Sequence, residues 1–302
     1  MDFKEDIRQH VLRVLPRDPR TDQDLHSKNA SDLLIIYANW LMRLIPSRPR
    51  VVHVSRALLA NPLAVDPKYA PALAALQATI QAGHDLTPHL STRIAYGYEL
   101  SQGGIGHGLQ GRRDLDLLLN DWGIHHLHLS SEIDTGGFFV KRDGPLLLGA
   151  FKLDDAYLID TMRHGDWTRE HVIQVIVTEW PEAGLVREVK GLAGYTVTEQ
   201  ERSKLRNTGV NSLVNISGRL YQPAVGIMAS GVSFHSTLAA DRVLDGVAWF
   251  ESQLTSNPDF LSEKMAAVGA TCPVDVDLHF EFFDFGYGIV ERKTGFRFRL
   301  QR

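Results

Sequence analysis

Between Ile124 and Pro181 the spacing of the apolar residues changes, and this change constrains the fold more than any other feature of the chain. Ile124 to Leu129 alternates as a strand does. Leu146 to Phe151 is a short apolar strand, and Asp154-Asp155 reads as a tight turn into a further strand, Ala156 to Met162. Gly165 to Thr168 then opens a helix that Asp166 or Thr168 can cap. Val172, Ile173, Val175, Ile176 and Trp180 form its buried stripe and Pro181 stops it. Three strands closed by a helix predict an α+β fold with a central antiparallel sheet.

The flanks fit that class. Phe3, Ile7, Val11, Leu12 and Leu15 make a helical stripe that Pro16 ends. Arg17 to Ala30 reads as a polar loop. Ser31 is placed to cap a buried helix over Asp32 to Ile45, Val51 to Val54 is a short strand or a lead into a helix, and Ala70 to Ala82 is a helix closed by Gly83. Beyond Pro181, Thr198 and Glu201 have capping-box spacing for a helix to Asn207. Strands over Val210 to Ile216 and Arg219 to Gln222 precede a C-terminal helix pair, Leu238 to Leu254 and Phe260 to Val268. Val274 to Leu300 is strand-rich. The expected division is a helical region over 1–110, a histidine-rich α+β segment over 111–190 and a C-terminal α+β region over 191–302; one continuous domain is the alternative.

Composition excludes several classes. A hydrophobic fraction of 44% with 23% charged residues is that of a folded globular chain. Cys272 is the single cysteine, so no intrachain disulfide forms, which fits a reducing compartment. The first residues, Met1 to Arg8, are charged and lack an apolar signal core, and the apolar stretch Leu33 to Ile45 is broken by Asn39 and Arg43. A cytoplasmic protein with no membrane contact is expected. The net charge of −4 gives no global attraction to nucleic acid, so RNA binding would need a local basic patch.

The chemistry-bearing run is Trp122-Gly-Ile-His-His-Leu-His-Leu129. Alternation along a strand puts His126 and His128 on one face, about 7 Å apart, with His125 on the other beside Leu127 and Leu129. Two imidazoles so placed can ligate a metal, exchange protons with a substrate or serve as structural hydrogen-bonding groups. A metal needs a third ligand; His107, His164 and Asp160 are available, but no spacing selects among them. No cofactor motif is present. Arg112, Arg113, Lys141, Arg142, Lys152 and Arg163-His164 lie near these strands, and their ends could gather several cations. Imidazoles beside cations are what metal-free phosphodiester cleavage requires: a base, an acid and positive charge on the phosphate.

The succession His125 to Leu129, Gly144-Pro-Leu-Leu-Leu-Gly-Ala-Phe151, Asp154-Asp155 and Tyr157-Leu-Ile-Asp-Thr-Met-Arg-His164 resembles the central sheet of RelE/HigB-type toxins, small ribosome-associated mRNA interferases. The resemblance covers about a quarter of the chain. It departs from the family in the length and slight acidity of this chain and in a helix that follows the sheet. It implies RNA cleavage without metal, with His126, His128 and His164 as acid–base groups and Lys152 and Arg163 as phosphate contacts. The cluster itself adds Arg113. Two rivals stand beside this nuclease reading: a non-enzymatic scaffold that binds a protein partner, and a metal-dependent hydrolase using the His126/His128 pair.

Other features read more plainly. The five glycines of Ser101 to Gly111 match neither a dinucleotide fingerprint nor a P-loop. Gly226 to Gly231 reads as a loop before a helix capped by Ser236 or Thr237. Asp275, Asp277, His279 and Glu281 read as the polar face of a late strand, and Trp167, Trp180 and Trp249 as core.

Overall fold

The structure is a computed structural model that describes residues 1–101, 111–163, 170–192, 197–283 and 286–300. The fold is α+β. Its helices are α1 Phe3–Val14, α2 Asp22–His26, α3 Ala30–Leu41, α4 Arg56–Ala60, α5 Pro62–Val65, α6 Ala70–Ala82, α7 Leu117–Trp122, α8 Glu170–Glu179, α9 Glu199–Asn207, α10 Phe234–Ser256 and α11 Phe260–Ala266. Its strands are β1 Val51–Val54, β2 His125–His128, β3 Leu146–Phe151, β4 Asp155–Met162, β5 Val186–Val189, β6 Val214–Ile216, β7 Arg219–Pro223, β8 Leu278–Phe283, β9 Gly286–Glu291 and β10 Phe296–Arg299.

The chain forms two compact units, one from Met1–Ala38 with Ser236–Arg302, the other from Asn39–His235. In the first, β10, β9 and β8 make an antiparallel meander. Phe3 and Ile7 of α1, Val247 and Phe250 of α10, and Phe280, Ile289 and Phe298 of the sheet share its core. Here Glu291 is fully buried, yet its carboxyl is held down at about 2. Burial pushes it up, but bonds from the Thr294 hydroxyl and the amides of Asp277, Thr294 and Lys293 outweigh that. The carboxylate thereby organises the turn into β10.

The second unit is built on a four-stranded sheet of order β1-β4-β3-β2. β2, β3 and β4 are antiparallel, as three successive strands would be, while β1 joins parallel to β4. Alternation sorts the strand residues onto two faces. Leu127, Leu147, Ala156 and Leu158 pack with Leu58, Leu76 and Ile80 from α4 and α6. Ile124, Leu148 and Ile159 pack with Trp122, Val172, Ile173 and Ile176 from α7 and α8. A second sheet, β5-β7-β6, contributes Val214 and Tyr221 to that same core.

Several local expectations are corrected. Arg17 to Ala30 is no loop: Asp18 caps a 3₁₀ turn over Pro19–Thr21, and α2 follows. Helix α3 begins before Ser31, because the Asn29 side chain accepts the Asp32 amide at 2.9 Å, and it ends at Leu41. Strand β8 starts at Leu278, so Asp275 and Asp277 precede it. Helix α10 starts at Phe234, ahead of both residues expected to cap it. Trp249 is 42% exposed rather than core. The glycine run 102–110, His164 and Gly165 to Thr168 lie outside the described residues. No helix among the described residues is long and apolar enough to cross a membrane.

Candidate functional site

One turn builds the site. Asp116 caps α7, its Oδ1 accepting the Leu119 amide at 3.1 Å. The helix lasts six residues and ends at Gly123, in the left-handed region at φ 72°. A Cβ there would meet Val225 Cγ2 at 2.6 Å, so glycine suits this reversal on both counts. The chain then returns as β2 and brings His126 back to the cap of its own preceding helix. His126 Nδ1 lies 3.3 Å from Asp116 Oδ2.

Strand β2 is an edge of its sheet, paired to β3. His126 and His128 share the face of Ile124, with ring centroids 6.2 Å apart and planes at 72°. His125 has the opposite parity and packs edge-on to Phe151. Its Nε2–H donates to the Met42 carbonyl at 3.0 Å, which fixes the tautomer. Burial holds this imidazole down to about 4, with the His126 and Arg50 charges acting the same way. His125 is therefore neutral near pH 7.

A cavity of about 580 Å³ opens at this edge, a size that suits a nucleotide-sized ligand. His125, His126 and His128 line it, with Asp114, Asp116 and five arginines: Arg43, Arg93, Arg112, Arg142 and Arg206. Among the described residues, two of the five meet carboxylates. Arg112 grips the buried Asp114 through Nε, at 2.7 Å, and Nη2. Arg206 Nε meets Asp121 Oδ2 at 2.7 Å and lies over the Trp122 ring. Arg43 is only 4% exposed and bonds backbone oxygens: Asp114 at 2.7 Å, Tyr96 at 2.8 Å and Arg93 at 3.0 Å. Burial lowers its guanidinium to about 10. Arg142 Nη2 donates to the Leu90 carbonyl at 2.8 Å.

Among the residues expected at the site, His126 and His128 come together here. Arg113 is exposed and does not line the cavity, and neither does Lys152 or Arg163. Lys152 follows β3, and its ammonium bonds the Ala183 carbonyl; Arg163 follows β4. Because β3 and β4 are antiparallel, with Leu146 opposite Met162 and Phe151 opposite Ala156, these two cations stand at opposite ends of the hairpin. A strand of this length spans roughly 20 Å or more. The expected gathering of Lys152 and Arg163 therefore fails on strand direction. The arginines that do gather come from Arg43 to Arg206, across most of the unit. Only Arg112 and Arg142 stood near the histidines in sequence.

Asp160 goes elsewhere. It is 5% exposed, accepts from Asn61 at 2.6 Å, and lies 2.8 Å from His171 Nε2. Among the described residues no group of three or more His, Cys, Asp or Glu side chains is arranged to hold a metal ion.

No protein-family model matches the chain, and no curated protein or solved structure matches it either. The chemistry of this site rests on its own residues.

Proposed function

We propose that the Asn39–His235 unit is a metal-independent nuclease that cleaves RNA at the cavity beside β2. The observation that carries this reading is the convergence, in one nucleotide-sized cavity, of an imidazole 3.3 Å from a carboxylate, a second imidazole and an excess of arginine over aspartate. The resemblance of residues 122–164 to RelE/HigB-type interferases is in keeping with the RNA class.

The step balances without an external reagent. One imidazole, His126, takes the proton of the ribose 2′-hydroxyl, and the 2′-oxygen forms a bond to phosphorus. The bond from phosphorus to the 5′-oxygen breaks, and the second imidazole, His128, gives that oxygen a proton. The products are a 2′,3′-cyclic phosphate and a 5′-hydroxyl. Asp116 orients His126, while arginine stabilises the charge on the phosphoryl oxygens. His125, neutral and donating to Met42, serves the wall rather than the proton transfer.

The test is cleavage of single-stranded RNA by the purified chain in EDTA. Cutting should persist, and His126→Ala with His128→Ala should lower the rate by about 10²–10⁴-fold. Cutting that EDTA abolishes would transfer the site to the metal-dependent alternative. Binding without turnover would make the unit a ligand-binding scaffold.

A further inference from the structure

The cavity holds more positive charge than a scissile diester can answer. Of its two aspartates, Asp114 is gripped by Arg112 and Asp116 stands against His126. Among the described residues Arg43, Arg93 and Arg142 have no carboxylate in ion-pair contact, although all three line the cavity. Arg43 is nearly sealed from solvent, and among the described residues its Nε has no hydrogen-bond partner. The Nε atom of half-buried Arg142 is likewise inaccessible and without one among the described residues. Arg43 is buried, Arg142 half-buried and Arg93 exposed, so the cost of an unpaired cation falls mainly on Arg43; the nearby charges of Asp114 and Asp116 offset it in part, and a bound anion would relieve more.

These groups abut one stretch of wall. Arg43 is tied to the Arg93 carbonyl and Arg142 to the Leu90 carbonyl. Those anchors lie three positions apart in the chain, at most about 11 Å when fully extended. Arg93 projects from the same stretch. Arginine also supplies the planar donor fork that matches phosphate oxygens.

Resting on the nuclease reading, the geometry points to a subsite in which Arg43, Arg93 and Arg142 hold a terminal phosphomonoester, so that the substrate is an RNA end carrying phosphate. A diester brings a single negative charge, whereas a monoester brings about 1.5 to 2 near neutral pH. Diester and monoester together answer the three surplus guanidiniums; a diester alone does not.

The experiment uses the full chain in EDTA and one short RNA in three forms: 5′-phosphorylated, 3′-phosphorylated and unphosphorylated. Cleavage and fluorescence-anisotropy binding are both read. At least a tenfold preference in kcat/KM for one phosphorylated form is expected. Inorganic phosphate should compete against that form, and Arg142→Met should erase the preference. The favoured arm identifies the end that is read. Equal cleavage of all three forms overturns the subsite and leaves the nuclease reading standing. A binding preference without cleavage keeps the subsite and overturns the nuclease reading. Neither preference nor cleavage overturns both. Phosphate competition on the unsubstituted protein keeps the test decisive if the Arg142 variant folds poorly.

Discussion

At the scale of single residues, Asp116 has two separable jobs. Oδ1 closes the first turn of α7, and Oδ2 stands against His126. An asparagine keeps an oxygen for the cap but removes the charge, so Asp116→Asn should cut RNA turnover at least tenfold while leaving Tm nearly unchanged. Asp116→Ala should also cost about 1 kcal/mol of stability through loss of the cap. Thermal melts beside turnover of both variants check this; equal activity in Asp116→Asn and the parent would deny Asp116 its positioning role. His125 makes a second residue-scale prediction, on pH. In the unfolded chain it titrates near 6.5, but burial holds it at about 4 in the fold. As pH falls below 6.5 the unfolded chain takes up a proton that the folded chain refuses, so stability declines until about pH 4, by roughly 3 kcal/mol. Burial shifts His89 and His10 in the same direction. Urea midpoints should drop across that window and be steady above it. His125→Gln, which retains a donor for the Met42 carbonyl, should flatten the slope; an unchanged slope would assign the acid loss to other groups.

At the scale of elements, α9 is held by arginine rather than by an apolar stripe. Arg202 and Arg206, one turn apart, are both buried. Arg202 meets Glu170 at 2.9 Å and Arg206 meets Asp121. Burial raises the Asp121 carboxyl more than the neighbouring Arg206 lowers it, and burial also lowers Arg206, so both partners are poorly solvated. Arg206→Met alone should cost about 3–5 kcal/mol by stranding Asp121. Asp121→Leu combined with Arg206→Met should recover much of that loss, and a double-mutant cycle on denaturation midpoints reads the coupling. Singles and double that fall together would show that the pair itself, not the orphaned charge, matters. This helix also shows what the sequence discloses. Its Thr198/Glu201 capping box is a local signal, and so is the period-two alternation that puts His126 and His128 on one face. The counterparts of Arg206 and of β1 are not local. Asp121 lies 85 residues from Arg206, and β1 pairs with β4 across about a hundred residues. Lys152 and Arg163 seemed near the histidines because sequence proximity says nothing about which end of a strand a residue occupies.

At the scale of the molecule, the α+β class was legible because spacing alone separates strands from helices. The cavity was not, because its walls are drawn from Arg43, Leu90 to Ile94, Arg112, Asp114 to Leu119, β2, Arg142 and α9. Nor was the joining of the two chain ends into one unit around Phe3, Phe250 and Phe298. That arrangement dictates an order of events during synthesis. Helix α1 leaves the ribosome well before the strands it packs against are made. At about 5–20 residues per second, α1 must wait of the order of 10–60 s for its sheet. Through that interval Phe3, Ile7 and Leu34 are without their final shelter, while the intervening unit can already close. Helix α1 is thus an element in need of a holding chaperone.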